Sequence, residues 1–309
     1  MLSALVRRTI WFGTVLLAVT TIVFGLIHLS GDPTDGFVDP AATPEVRAQI
    51  RADLGLDDPL PVQYLRFLAN AVRGDFGESW RAKRDALELV LGRLDSTLYL
   101  AGTALGLALL LGLAVGAIHA RVRLLPVRIA ADLVMSIGQA LPSFWVGAML
   151  VLIFAVNLRW LPSSGAGSLQ ALVLPAITLA LQPMATIARL TSTRLVEALH
   201  ADFIRTARAK GLTERAVVTG HAMRASIGPV LAFVGVQIGF LIGGAVVVEG
   251  VFAWPGIGLL ALNAVQDRDL PVIQCFVVVV AIAIMLSTTL VDICARALDP
   301  RIGQRGGEA

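Results

Sequence analysis

Between residues 201 and 224 the sequence reads ADFIRTARAKGLTERAVVTGHAMR, and five cationic side chains, Arg205, Arg208, Lys210, Arg215 and Arg224, crowd into it. Phe203, Ile204, Ala207 and Gly211 fall on one helical face, while Arg205, Arg208 and Ala209 point elsewhere. A short basic helix of this kind suits docking, either to anionic lipid or to a cytoplasmic protein, rather than bond-making. Gly211 occupies a C-cap position, where a left-handed residue ends one helix and lets the next leave at a sharp angle. Thr213 then stands as N-cap of that second helix.

A nucleotide site of this chain's own is excluded by what is missing. A phosphate-binding loop needs Gly-Lys-Ser or Gly-Lys-Thr, and the two lysines, Lys83 and Lys210, are followed by Arg84 and Gly211. His28, His119, His200 and His221 form no metal-ligand spacing. Cys275 and Cys294 are nineteen residues apart, about 28 Å along a helix, beyond the reach of a disulfide.

The elements that must hold the basic segment are membrane spans. The chain has 309 residues, 56% of them hydrophobic and 15% charged, with a mean hydropathy of +0.78. Six apolar runs approach or exceed the length that crosses a hydrocarbon core: residues 9–29, 98–118, 129–156, 169–187, 230–248 and 272–293. They do not alternate as barrel strands do, so they read as helices. Arg7 and Arg8 precede the first run, which is long for a signal peptide and has no clear cleavage site after it; it reads as a retained span. The fourth run, with Pro175, Gln182 and Pro183, has the character of a buried, kinked helix. Net charge is only +3, which gives no reason to expect a nucleic-acid partner.

Lys and Arg placement gives the orientation. With the N-terminus cytoplasmic, the inner side holds Arg7, Arg8, Arg121, Arg123, Arg128, the basic residues from Arg189 to Arg224, and Arg296, Arg301 and Arg305; the short outer loops hold Arg159 and Arg268. The segment after the first run mixes eight basic with twelve acidic residues over 30–97. It shows turn signals and then helical periodicity around 46–54 and 62–72, which predicts a small helical external layer.

Within the spans, ionisable residues are His28, Asp132 and Asp292, all near span ends. An ion-coupled carrier would need a charged or unwound midplane site, so this pattern counts against secondary transport. Gln139, Gln182, Gln237 and Gln274 suit interhelical hydrogen bonds, and the first three are also candidates for a solute path. Gly235, Gly239, Gly243 and Gly244 on the fifth span have the spacing of close helix packing, including packing on a partner permease. The stretch VEGVFAWPGIGLL is apolar yet broken by Gly250, Pro255, Gly256 and Gly258; it reads as an outer re-entrant element carrying Glu249, Trp254, Pro255 and Gly256, with Trp254 alternatively an interfacial anchor.

The segment DFIRTARAKGL, followed by HAMRASIGPV, resembles the cytoplasmic coupling loop of type I ABC importer permeases, in the form found in the dipeptide, oligopeptide and nickel permease family. The general Glu-Ala-Ala triplet is Arg205-Thr206-Ala207 here, with Gly211 kept, a departure that itself matches the peptide branch. LGLDDPLPVQYLRFL, RGDFGES, ALPSFWVG, LVLPAITLAL, VVVEGVFAWPGIG and ALDPR are similar to other stretches of the family, in the family's order. The resemblance implies an all-α integral membrane protein with six transmembrane helices, the first permease of a pair. It divides the chain into a first span (1–30), an extracytoplasmic segment (31–95), a core (96–295) with its coupling loop (196–226), and a cytoplasmic tail (296–309).

It further implies that Asp202, Phe203, Arg205, Thr206, Ala207, Arg208, Lys210 and Gly211 meet an ATPase subunit. The implied partners are a second related permease, two ABC ATPases, an extracytoplasmic solute-binding protein and membrane lipid. ATP and Mg would belong to the ATPases, with no cofactor on this chain, which is not itself an enzyme. The site would be the bacterial cell membrane, with both termini cytoplasmic. Di- or oligopeptides are the expected solute; a nickel chelate or a glutathione-type peptide is the alternative within the family. An ion-coupled secondary carrier is the alternative from another class, and a non-transport membrane scaffold is the third.

Overall fold

A computed structural model of the chain describes residues 2–29, 34, 38 and 42–298. Expectations resting on Arg7, Arg8, His28, Asp292, Cys294 and the tail from Arg296 concern side chains outside the described residues. The described chain is helical, apart from an isolated antiparallel bridge between Glu78 and Asp85. In order, the helices are α1 (Leu2–Leu29), α2 (Pro44–Asp53), α3 (Leu60–Ala71), α4 (Ala86–Arg121), α5 (Leu125–Ala140), α6 (Ser143–Leu150, running on through a π-helical turn Val151–Asn157), α7 (Leu169–Leu199) and α8 (Asp202–Ala209). Then come α9 (Glu214–Ala216), which continues through π-helical Val217–Ala222 into α10 (Met223–Phe252), α11 (Ile257–Gln266) and α12 (Leu270–Leu298).

Among the described residues, four helices are long and apolar enough to cross a membrane, Ala86–Arg121, Leu169–Leu199, Glu214–Phe252 and Leu270–Thr289. The run 129–156, read from sequence as one span, is instead the pair α5 and α6, bent by 112°. Proline explains the break. Pro142 disfavours helical backbone at the residue before it, and Leu141 is extended, with ψ 132°. The α1 backbone is helical for 28 residues, of which Ile10–Leu26 form a shorter apolar helix among the described side chains.

The chain divides into two compact units, 1–97 with 255–285, and 98–254 with 286–309. In the second unit α7 is the central element: 72% of its most apolar eighteen residues are buried, against 28–39% in the other three long helices. Its prolines sit inside that packing, and both Pro175 and Pro183 are buried. Leu172, Leu174, Leu179, Met184 and Ile187 of α7 pack with Leu100, Ala104 and Ala108 of α4 and with Leu241, Ala245, Val248 and Phe252 of α10.

Glycine makes the closest crossings possible. A Cβ on Gly116 would lie 2.4 Å from the Ala188 carbonyl oxygen and 2.7 Å from Thr191 Cβ; one on Gly112 would lie 2.7 Å from Ile187 Cγ2. Gly138 of α5 meets Ala185 of α7 in the same way, at 2.8 Å. So the close small-residue packing of this chain runs between α4, α5 and α7. Two glycines of the fifth span make no such approach: nothing lies within 4 Å of a Cβ on Gly243, and one on Gly244 would only touch Leu179, at 3.7 Å.

In the first unit, Tyr64 of α3 rests on α1, with its hydroxyl 2.6 Å from Thr21 Oγ1 and its ring centroid 5.3 Å from that of Phe24. The turn before α4 is fastened by the buried carboxylate of Asp269, just ahead of α12. Asp269 accepts a short hydrogen bond from the Ser79 hydroxyl and bonds from the backbone N–H groups of Trp80 (3.1 Å) and Arg81 (3.4 Å). Ser79 Oγ in turn accepts from Ala82 N–H at 2.8 Å. Asp269→Ala leaves those donors without their acceptor, at a cost of about 1–3 kcal/mol each where they stay dry. The expected result is protease cleavage between residues 79 and 85 in the variant under conditions where the parent protein is intact; equal resistance would remove the clamp.

Candidate functional site

The basic segment forms the helical hairpin that its sequence predicts. Helix α8 ends at Lys210, and Gly211 follows with φ +78°. The Gly211 N–H donates to the Arg208 carbonyl at 2.9 Å and the Leu212 N–H to the Ala207 carbonyl at 3.4 Å, the paired bonds of a Schellman ending. Thr213 is extended, and its hydroxyl accepts from Ala216 N–H at 3.3 Å, so it caps the next helix. Local chemistry alone thus accounts for the turn.

Burial sorts the hairpin into an inner and an outer face. Ile204, Ala207, Val217 and Ala222 form one cluster with Leu195 near the end of α7, and Ala117, Ala120, Ala198, Leu199 and Met223 pack against it. Phe203, placed on the apolar stripe by spacing, departs from it: it is 47% exposed while Ile204 is fully buried. A helix of eight residues can seat only a narrow face on its neighbours, and Ile204 with Ala207 fills it. Asp202, Arg205, Thr206, Arg208, Lys210 and Gly211 are exposed.

The outer charges are partly spoken for within the hairpin. Arg208 Nε donates to Glu214 Oε1 at 2.6 Å and its Nη2 to Oε2 at 3.3 Å, a two-pronged bond across the glycine turn. That hydrogen bond holds the Arg208 guanidinium still more firmly protonated than usual. Asp202 lies 3.4 Å from Arg205. Both acids therefore pair inside the loop, and Lys210 and the apolar ring of Phe203 are left presented alongside them.

Behind the hairpin is a link that sequence reasoning missed. His119, two residues before the end of α4, has Nδ1 2.7 Å from Ser192 Oγ of α7 and Nε2 3.0 Å from Asp132 Oδ1 of α5. Read one by one, the histidines show no relation; the partners of His119 are 73 and 13 residues away in sequence, and no local pattern joins them.

The remaining candidates stand apart from this site. Gln139 and Gln182 are exposed and Gln237 half-buried, and no hydrogen bond links their amides among the described residues. Gln274 is buried, its amide nitrogen without a partner among the described residues. Helix α10 ends where Ala253 turns left-handed, with φ 48°. Glu249 is fully buried and Trp254 nearly so, packed within the protein core rather than free to lie among headgroups, and the Trp254 N–H donates to the Glu249 carbonyl at 2.9 Å. In the other unit, the Pro255 carbonyl accepts from Arg93 at 3.5 Å. Gly256 is the N-cap of α11, whose Ile257 N–H is satisfied by the buried Thr97 hydroxyl at 2.9 Å. Among the described residues no cluster of His, Cys, Asp or Glu has the make-up of a metal site.

Comparison with known proteins gives these features a context. Residues 108–304 match the family model of the binding-protein-dependent transport system inner membrane component, and residues 1–101 match that of its N-terminal part. The glutathione transport system permease protein GsiC of Salmonella paratyphi A is 40% identical over 304 residues, covering 98% of this chain and 99% of that protein. GsiC of Escherichia coli K12 is 38% identical over the same coverage. Among solved structures, an inward-facing MetNI methionine ABC transporter superposes with a TM-score of 0.54 at 16% identity, over 68% of this chain and 95% of that one. An amino acid ABC transporter with histidines gives 0.52 at 16%, over 68% and 94%. These likenesses share the fold.

Proposed function

We infer, from the premise that this chain belongs to the family of inner membrane components of binding-protein-dependent transport systems, that it forms half of the translocation path of an importer for glutathione-type peptides. As a member it is a multi-pass permease of an ABC importer. The observation that carries the solute is the identity of about two residues in five, along nearly the whole chain, with permeases named for glutathione transport. This narrows the expectation of di- or oligopeptides to its glutathione-type alternative.

The finer architecture is six spans with both termini cytoplasmic: α1, α4, the bent α5–α6 pair, α7, α9 with α10, and α12. The 112° break argues for a third span that is broken, not straight. A second, related permease would complete the path, two ATPases would hold ATP and Mg, and an extracytoplasmic binding protein would deliver the solute. No cofactor is assigned to this chain. Helix α8 is the element offered to an ATPase, through Phe203, Arg205, Arg208 and Lys210. Its support is physical: the Schellman ending and the buried Ile204 and Ala207 make the hairpin a rigid body seated on α4, α7 and α10. Closure of the ATPases would therefore move several spans together.

The test is uptake of labelled glutathione by proteoliposomes holding this chain with its co-purifying subunits and binding protein. ATP-dependent uptake resistant to excess dipeptide and nickel chelate is the expected result. Accumulation of nickel or of unrelated peptides without glutathione would overturn the solute; absence of any co-purifying ATPase would overturn the importer.

A further inference from the structure

We propose that α3 lies in the outer leaflet of the membrane as an interfacial helix, with the face formed by Val62, Leu65, Ala69 and Val72 in contact with lipid acyl chains. The inference rests on the reading of α1 as a span, and it departs from the sequence-based expectation of an external layer standing in water.

The depth follows from one side chain. The Tyr64 hydroxyl lies 2.6 Å from Thr21 Oγ1 and 3.3 Å from Thr20 Oγ1, and it donates to the Leu17 carbonyl at 3.3 Å. The apolar run 9–29 needs its full length to cross a hydrocarbon core of about 30 Å. Thr20 and Thr21 are eight or nine residues short of its outer end, about 12–14 Å down at the helical rise. A tyrosine hydroxyl reaches no further than about half of one ~15 Å leaflet from its own backbone. The α3 backbone at Tyr64 therefore sits below the hydrocarbon boundary, near the ~5–10 Å at which amphipathic helices lie in an interface.

The faces of α3 agree with that depth. Gln63, Arg66 and Asn70 form one helical line, and its first two members are already engaged: the Gln63 amide donates to the Leu56 and Asp58 carbonyls at 3.0 and 2.8 Å, and Arg66 pairs with Asp58 at 2.6 Å. Tyr64 and Phe67, with ring centroids 6.3 Å apart, share the side turned to α1. Val62, Leu65, Ala69 and Val72 form the third line, all exposed, Leu65 by 65% and Val72 by 89%. Left in water, these apolar groups would bring no gain; at the depth that Tyr64 sets, acyl chains cover them.

The test uses the complete transporter in proteoliposomes, in a Cys275→Ala, Cys294→Ala background that retains uptake. Spin labels are placed singly at Val62→Cys, Leu65→Cys, Arg66→Cys, Ala69→Cys, Asn70→Cys and Ile22→Cys, the last on the exposed side of α1. Collision with oxygen, which concentrates in lipid, is compared with collision with a water-soluble nickel chelate. The expected result is a several-fold excess of oxygen over nickel at 62, 65 and 69, and the reverse at 66 and 70. Nickel excess at Leu65→Cys, or protection from both reagents as under a partner protein, would overturn the proposal. Oxygen excess at Ile22→Cys keeps α1 as a span whatever α3 does; nickel excess there would fail the span reading itself.

Discussion

Gly211→Pro abolishes solute uptake while the chain still inserts and assembles. Gly211 stands at φ +78°, and its N–H bonds the Arg208 carbonyl at 2.9 Å. Proline fixes φ near −65° and has no N–H, so the variant cannot form the ending of α8. A penalty of about 3 kcal/mol, typical of proline in a hydrogen-bonded helical position, lowers the population of the native hairpin on the order of a hundredfold. The spans are untouched, because no atom lies within 4 Å of a Cβ at this glycine. Gly211→Ala isolates the backbone term: it keeps the N–H and meets no neighbour, but must hold a left-handed conformation at roughly 1–2 kcal/mol. Uptake should therefore fall in the order Gly, Ala, Pro, with ATP hydrolysis no longer stimulated by loaded binding protein in the proline variant. Uptake by Gly211→Pro equal to that of the parent would refute the hairpin as the coupling element.

Gly116→Val should act on the fold itself. The close approach of α4 to α7 leaves 2.4 Å between a Cβ at 116 and the Ala188 carbonyl oxygen, and 2.7 Å to Thr191 Cβ. The first of these neighbours is backbone, so no rotamer change relieves the clash, and the helices must separate along a crossing that also holds Gly112 against Ile187. Overpacking of ordinary core sites costs about 1–3 kcal/mol, and this site, with backbone opposite, belongs at or above the upper end. The measurement is the temperature at which the purified complex in detergent loses its monodisperse elution peak, together with its yield. Gly243→Val is the matched control, since its Cβ would meet nothing within 4 Å. A large loss at 116 with little change at 243 is the expected contrast; equal behaviour would mean that the α4–α7 contact does not limit stability.

The same pair of glycine groups shows where sequence reading stopped. Gly243 and Gly244 belong to a small-residue repeat on the fifth span yet make no tight contact, whereas Gly112, Gly116 and Gly138 do, with partners on α7. The signal on α4 was present, since Ala104, Ala108, Gly112 and Gly116 recur every fourth residue. Spacing identifies a face that can pack closely. It does not say against what.

The sequence by itself determined what is local or statistical: long apolar runs without alternation make helices, and Lys210-Gly211-Leu212-Thr213 ends one helix and starts another because only glycine takes that backbone turn freely. Tertiary structure decided the rest. Ile204 and not Phe203 became the anchor of α8, because the face of α8 that packs on Leu195 and Val217 is the one carrying Ile204 and Ala207. His119 acquired its hydrogen bond with Ser192, and Ser79 acquired Asp269 across 190 residues, because hydrogen bonds form between groups that packing brings within about 3 Å, whatever their separation along the chain.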